Sequence, residues 1–316
     1  MQAVRDNFAG VEGGPLHVAI GMFDGVHLGH RAVIESAIHA ARARGGRSAV
    51  LTFSPHPSRV LRPESPTLLI QGDAEKEERI AALGVDLILW QSFTRELAAV
   101  GAEEYAARLK AALPGLATLH VGENFRFGRG RTGDIQTLLA AAKSKGVHLI
   151  SIERVRYDGE PISSTRIRSL LSTGRMAEAD ALLGYDYFSD GVVVPGKKLG
   201  RTIGFPTLNI AWQPESAPAF GVYAVRVYLK NKGRVSALPA VANYGLRPSV
   251  ENARTPLLEI HVLAPECPIG EGDAIRAEWL EFLRPETKFD SLDALRVQIA
   301  ADRDNAAAYF CGGRSR

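Results

Sequence analysis

Cysteine is almost missing from this chain. Two cysteines, Cys267 and Cys311, in 316 residues cannot build a disulfide framework, so the fold has to rest on a buried core. Long hydrophobic runs are missing as well. Even the most apolar windows are broken by charge or glycine, short of the ~20 apolar residues that a membrane helix needs. No basic segment followed by an apolar run stands at the N-terminus to act as a signal peptide. A soluble protein of the cytoplasm is expected. The chain also lacks an excess of one charge: 38 Lys and Arg face 35 Asp and Glu, for a net charge of +3. The basic residues are scattered apart from the tail at 312–316, so no footprint for nucleic acid or a membrane surface stands out. Repeats of solenoid period and low-complexity tracts are absent too. What remains is a protein for small, partly anionic ligands, as a monomer or weak homo-oligomer.

With 46% hydrophobic residues the chain can bury a large core, but its length favours two domains. From residue 16 to about 152, short apolar runs alternate with helical patterns. Leu16–Ile20, Ser48–Phe53, Val85–Leu89, Thr118–Val121 and Val147–Ile152 read as buried strands. Helices fit Leu28–Arg44, Ala74–Leu83, Ala102–Leu113 and Asp134–Lys145, the first with Val33, Ala37, Ile38 and Ala41 on one face. This is an α/β, Rossmann-like parallel sheet. A helical stretch after Thr165 runs past Gly174 to Leu183, where Gly184 is a plausible stop. The boundary is placed there, giving domains 1–184 and 185–316. Beyond it the texture changes: Tyr187–Val194, Gly221–Leu229, Val235–Asn243, Leu257–Leu263 and Ala274–Phe282 read as strands separated by Gly/Pro-rich turns. That pattern indicates a small antiparallel β-barrel of the six-stranded type. A last helix, Ser291 to Tyr309, closes it with Leu292, Leu295, Ile299 and Ala306 as the expected buried stripe.

The segment Gly21-Met-Phe-Asp-Gly-Val-His-Leu-Gly-His30 joins the first predicted strand to the first helix. Gly21, Gly25 and Gly29 let the backbone turn tightly and approach a ligand, while the helix N-terminus aims free N–H groups at the same space. Phosphates bind in such places. His27 and His30, three apart, project from the first turn and can donate hydrogen bonds to charge developing on a transferring nucleotidyl group. A zinc pair would need a third ligand that the neighbourhood does not offer. Phe23 and Asp24 complete the turn, where an aspartate is commonly structural.

Other segments carry weaker signals. Ser163, Ser164 and Thr165 offer hydroxyls and backbone amides at a predicted helix start, with Arg168 one turn on. They suit a triphosphate from the side opposite the histidines, or form an ordinary N-cap cluster. Asn124 with Phe125 and Phe127 follows a strand where an isoalloxazine or adenine could lie, although such phenylalanines are often core. His56, between two prolines, sits at the end of the second predicted strand. In the β domain, Gly200-Arg-Thr-Ile-Gly-Phe-Pro-Thr-Leu-Asn209 places Thr207 and Asn209 two apart on an extended segment, so both present oxygens to one face. Hard oxygens suit Mg²⁺.

The His-x-Gly-His turn resembles the nucleotidyltransferase superfamily, which transfers AMP from ATP and releases pyrophosphate. Thr52-Phe-Ser-Pro-His-Pro57, Val121-Gly-Glu-Asn-Phe-Arg-Phe-Gly128 and Ile162-Ser-Ser-Thr-Arg-Ile-Arg168 narrow the resemblance to the FMN adenylyltransferase module of prokaryotic bifunctional riboflavin kinase/FAD synthetases. The stretch from 200 to 209 is similar to the riboflavin kinase signature. That likeness implies that Thr207 and Asn209 hold Mg²⁺–ATP and that the loop bearing Gly200, Arg201 and Gly204 covers phosphate. Asn243-Tyr-Gly-Leu-Arg-Pro-Ser249 and Leu257-Leu-Glu-Ile-His-Val-Leu263 resemble the next two motifs and imply a catalytic base at Glu259. A carboxylate there could accept the proton of the ribityl 5′-hydroxyl. Leu283-Arg-Pro-Glu286 resembles a segment near the flavin, which makes Arg284 a binding candidate, as His56, Asn124 and Phe125 are in the first domain. The chain departs from the family pattern at Pro195, Leu208, Ser249 and the segment Ala264–Gly270.

The implied activity is riboflavin plus ATP to FMN in the second domain, then FMN plus ATP to FAD and pyrophosphate in the first. Two rivals stand beside it. One is a monofunctional adenylyltransferase whose β domain only binds flavin, prompted by the altered 264–270 segment. The other is a flavin-sensing or nucleic-acid-binding protein that keeps the folds without turnover.

Overall fold

The computed structural model describes residues 1–6, 8–11, 13–196, 204–230, 237–247 and 255–312, in two compact units, Met1–Ser164 and Thr165–Arg316.

The first unit runs β1 (Gln2–Arg5), β2 (Leu16–Ile20), α1 (Leu28–Arg44), β3 (Arg47–Ser54), α2 (Pro57–Leu61), α3 (Asp73–Ala82), β4 (Leu87–Ser92), α4 (Arg95–Ala98), α5 (Ala102–Ala112), β5 (Leu116–Gly122), α6 (Ile135–Lys143) and β6 (His148–Ile152), then a small hairpin, β7 (Arg156–Tyr157) with β8 (Glu160–Pro161). Six strands form one parallel sheet in the order β1-β4-β3-β2-β5-β6. Every residue of β2 is buried, as a strand covered on both faces must be. Ala19, Val50 and Ile88 pack with Val33, Ile34 and Ile80 on the α1 and α3 side, and Val18, Leu51, Leu89 and Val121 with Tyr105, Leu109 and Leu138 on the α5 and α6 side.

β2 lies centrally, with β3 on one side and β5 on the other. The chain therefore changes direction across the sheet at the carboxyl end of β2, where ligands collect in doubly wound α/β folds. β1 was not expected from the sequence. Four residues on an edge, three of them exposed, leave little hydrophobic signal. A polar chain crosses the interior on the α1 side: His17 Nδ1 to Thr118 Oγ1, Thr118 Oγ1 to His120 Nε2, and His120 Nδ1 to Ser36 Oγ, each 2.8 Å.

The second unit opens with α7 (Ser164–Ser172) and α8 (Met176–Leu183), where a single helical stretch was expected. Gly174, at φ +73°, breaks it, and a Cβ there would lie 2.9 Å from the Phe282 ring. Both helices pack on the barrel: Ala219 N donates to Leu171 O at 3.0 Å and Tyr187 N to Asp180 Oδ1 at 2.8 Å. The compact units consequently divide some twenty residues before the expected position at 184, because these helices share the barrel's core. That barrel is formed by β9 (Phe188–Val194), β10 (Leu208–Ala211), β11 (Gly221–Leu229), β12 (Leu238–Arg247), β13 (Thr255–Val262) and β14 (Ala274–Pro285). It closes in the order β10-β13-β12-β11-β14-β9, antiparallel throughout. Trp279, Tyr187, Tyr223 and Tyr244 fill it with edge-on ring contacts.

The C-terminal helix (Leu292–Cys311) covers part of the outer wall, with Ala306, Tyr309 and Phe310 against Val222, Ala224 and Val241. Its stripe differs from the expected one. Leu292 is 71% exposed, while Asp302, in register with Leu295, Ile299 and Ala306, is buried. The helix packs through its second half, so its first residue has no wall to rest on.

Candidate active sites

The turn after β2 is held in an unusual backbone. Phe23 at φ +51° and Val26 at φ +37° occupy the left-handed region beside Gly25 at φ +79°. A β-branched residue there is strained, and such strain persists where the surroundings over-determine it. Those surroundings are visible. Asp24 is buried and its Oδ1 accepts from Ile70 N at 2.9 Å, while its carbonyl accepts from Ser164 Oγ at 3.0 Å. A Cβ on Gly25 would come within 2.9 Å of Ile70 Cδ1, one on Gly21 within 2.9 Å of the Phe23 ring, and one on Gly29 within 3.1 Å of the His27 ring. Asp24 thus ties the turn to the segment before α3 and to Ser164, a role that spacing alone did not reveal.

His27 is the N-cap of α1. Its Nδ1 accepts from His30 N at 3.2 Å, which fixes the proton of a neutral ring on Nε2. The His27 and His30 rings stack with centroids 3.6 Å apart, and Phe23 meets His30 edge-on. Burial holds His27 at about 4, and drives His30 well below the usual imidazole range, with His27 and Lys76 adding to the effect. At neutral pH both rings are uncharged donors beside a helix N-terminus, which suits them to phosphate oxygens.

The other candidates of the first unit fall into different roles. His56 caps α2, its Nδ1 accepting from Ser58 N at 3.2 Å. Asn124 is exposed just past the carboxyl end of β5, on the ligand edge of the sheet. Phe125 stacks on Phe127 at 5.6 Å; Phe127 is core and Phe125 packs against that core. Ser164 adjoins the turn through the Asp24 carbonyl. Thr165 and Arg168 fall in the second unit, where Arg168 Nη2 donates to Thr165 Oγ1 at 3.3 Å.

In the barrel, register brings the polar candidates into line. Asn209 on β10 and Asn243 on β12 are both direct partners of Glu259 on β13. Adjacent partners point to the same face, and the intervening Leu258 and Ile260 fill the interior, so Asn209, Glu259 and Asn243 form one row across the outer wall. Asn209 is buried, and among the described residues its Oδ1 has no hydrogen-bond partner. Thr207 lies two residues before it, half-buried, on a segment pinned by His261, whose Nδ1–H donates to Pro206 O at 2.8 Å. Gly204 turns at φ +89° in open space, whereas Gly200 and Arg201 lie outside the described residues. Arg284 is engaged elsewhere: Nε and Nη2 bind both oxygens of Asp302 at 2.8 and 2.7 Å, clamping the C-terminal helix to β14.

Residues 12–166 match the FAD synthetase family and residues 183–310 the riboflavin kinase family. A bifunctional riboflavin kinase/FMN adenylyltransferase from Escherichia coli (strain K12) is 36% identical over 293 residues, covering 93% of this chain and 92% of its own. The chain belongs to the bifunctional riboflavin kinase/FMN adenylyltransferase family. A second such relative, from Listeria monocytogenes, is 33% identical over 93% of this chain and 92% of its own. A crystal structure from Streptococcus pneumoniae, named as a macrolide-efflux protein, superposes with a TM-score of 0.85 at 29% identity, covering 96% of this chain and 98% of that one. Among the described residues, no helix is long and apolar enough to cross a membrane.

Placed on this bifunctional riboflavin kinase/FMN adenylyltransferase chain, the geometry adds residues that the motifs did not single out. Asn243 stood inside a quoted motif without a role, His261 is visible only through its bond to Pro206, and Lys76 sits buried on α3, where the periodicity indicated only a helix.

Proposed function

We propose that the two reactions are divided between the units residue by residue as follows. In the barrel, riboflavin is phosphorylated: the Glu259 carboxylate takes the proton of the ribityl 5′-hydroxyl, that oxygen attacks the γ-phosphorus of ATP, and ADP leaves. The observation that carries this assignment is the cross-strand pairing of Glu259 with Asn209, whose buried Oδ1 has no partner among the described residues. A buried amide oxygen without a partner is costly, and together with Thr207 it forms a hard, uncharged donor pair that fits Mg²⁺. Mg²⁺ supplies charge neutralisation for the β- and γ-phosphates. Asn209 and Thr207 orient those phosphates toward Glu259, and Gly204 leaves the backbone before them free to approach.

In the first unit FMN is adenylylated. A phosphate oxygen of FMN attacks the α-phosphorus of ATP in line, the bond to the β-phosphate breaks, and pyrophosphate leaves with the electron pair. The stacked neutral imidazoles of His27 and His30 donate to the phosphate oxygens as charge redistributes, and the first turn of α1 adds its N–H groups. Asp24 acts by holding the turn in shape. Ser163 and Ser164 serve the triphosphate, and Asn124 and Phe125 the flavin.

Incubating the chain with riboflavin, ATP and Mg²⁺ and separating the flavins tests this directly: FMN and then FAD are expected, and neither appearing refutes the reading. Glu259→Gln should lower riboflavin phosphorylation by at least ~100-fold while sparing FAD formation from supplied FMN. The monofunctional reading requires that substitution to change nothing.

A further inference from the structure

A buried lysine faces the histidine turn, and the chemistry above does not use it. Lys76, in the first turn of α3, is 5% exposed, among the least accessible charged groups of the first unit. Its Nζ lies 3.3 Å from Asp73 Oδ1 and 4.7 Å above the centre of the Trp90 ring. Asp73 in turn accepts from Ser54 Oγ at the carboxyl end of β3. The ammonium is thereby fixed at the ligand edge of the sheet, in the layer where Phe23 and Val26 of the turn pack beside Trp90. Its field reaches His30 and Asp24. Burial lowers its basicity, and the carboxylates of Asp73 and Asp24 oppose that loss.

A buried ammonium is expensive unless it is paired or used. One carboxylate and an aromatic face account for part of its environment. Two further observations point toward a ligand at the same edge. Among the described residues, Gln71, two residues before Asp73, is buried with both amide atoms unpartnered, and His30 Nδ1 is buried without a partner. Unsatisfied buried polar groups concentrate where a ligand completes them. With His27 and His30 uncharged, the turn itself offers phosphates only dipoles.

We propose that Lys76 is the fixed cation of the adenylyl-transfer site, set against the phosphate chain that the His27–His30 turn receives, where it offsets the charge that gathers as pyrophosphate departs. This rests on the adenylyl-transfer reading of the first unit. The ammonium keeps its proton throughout: the bond from FMN oxygen to the α-phosphorus forms, the bond to the β-phosphate oxygen breaks, and no proton moves through Lys76. A preorganised charge at a leaving group acts on the transition state more than on binding, so its loss falls on kcat rather than KM.

The same charge adds to the burial that keeps His30 neutral. His27 and Lys76 both act on His30, while Asp73 on α3 and Asp24 in the turn act on Lys76. Arg5 and Glu77 flank the other side of Trp90.

The test uses the full chain carrying Lys76→Met or Lys76→Arg, with riboflavin phosphorylation by the same preparation as an internal control. Lys76→Met should lower kcat for FAD formation from FMN by ~100-fold or more, change KM for ATP by less than ~3-fold and weaken inhibition by added pyrophosphate. Lys76→Arg, which keeps the charge, should recover at least a tenth of the rate and the pyrophosphate inhibition of wild type. If the wild-type chain forms no FAD, the reading of the first unit fails. If it does and Lys76→Met forms FAD as fast, Lys76 is not the cation. A slow Lys76→Met enzyme with a raised KM for ATP and unchanged pyrophosphate inhibition assigns the residue to packing and overturns the proposal. Should Lys76→Met not fold, Lys76→Arg decides, since a folded Lys76→Arg chain without FAD formation refutes a role through charge.

Discussion

Uncharged histidines in a phosphate site have a measurable consequence. A group whose folded pKa lies below its ordinary value keeps its neutral form down to that lower value. With His27 at about 4, FAD formation should hold its rate as pH falls through 6.5 and decline only nearer 4 to 5, where protonation of His27 Nδ1 breaks the cap to His30 N. An acid limb centred near 6.5 in the kcat profile would contradict this. In the barrel the corresponding detail is His261. His261→Ala removes the donor to Pro206 O and frees the segment that carries Thr207, so riboflavin phosphorylation should require several-fold more Mg²⁺–ATP for half-saturation, read from a Mg²⁺ titration, with FAD formation untouched. The turn at 21–30 was legible in the sequence because glycine spacing and paired histidines have few other uses. Asn243, His261 and Lys76 were not, because an asparagine, a histidine or a lysine in a strand or helix carries no local pattern. Their places depend on partners 16, 55 and 14 residues away.

At the level of elements, β2 to β6 and the long helices could be read because buried parallel strands and amphipathic helices imprint strong periods. β1 could not, being a short exposed edge, and the C-terminal helix was misread at Leu292. The buried stripe of that helix contains a carboxylate, Asp302, which hydrophobic periodicity treats as a solvent position. Its bidentate pair with Arg284 leaves Asp302 4% exposed, and removing one partner of such a pair strands the other charge. Asp302→Ala should therefore destabilise the second unit by ~3 kcal/mol and speed hydrogen exchange in the C-terminal helix, while Arg284→Met with Asp302→Leu should recover much of that loss. The His17–Thr118–His120–Ser36 chain joins β2, β5 and α1 in the same way. Burial holds His120 at about 4, below its unfolded value near 6.5. The unfolded chain thus takes up a proton that the folded one refuses, so this stabilisation is complete above about 6.5 and is lost as pH falls toward 4. Urea unfolding of the first unit should show a slope approaching ~1.4 kcal/mol per pH unit from this residue across that window.

For the whole molecule, the two chemistries sit in two compact units, and the question is where one ends. Texture in the sequence changes at residue 184, since helices give way to strands there, and the riboflavin kinase match begins at 183. Packing argues for 164. α7 and α8 accept hydrogen bonds at Leu171 O and Asp180 Oδ1 from Ala219 N and Tyr187 N, Gly174 presses on Phe282, and Met176, Leu182 and Leu183 are all within 1% of full burial. Cutting at 184/185 would expose those contacts on the barrel and remove the acceptor of Tyr187 N, a buried backbone group. Each such loss costs about 1–3 kcal/mol, a large share of what a domain of this size has in hand. A fragment of residues 165–316 should therefore fold cooperatively and phosphorylate riboflavin at a rate near that of the full chain. A fragment of residues 185–316 should melt at least ~10 °C lower or aggregate, because two such losses already exceed what shifts a melting point by that amount. Calorimetry and a riboflavin phosphorylation assay on the two fragments decide it. Equal stability and equal rates would place the boundary at 184, where the change in sequence texture puts it, and would reduce α7 and α8 to a linker that happens to be helical.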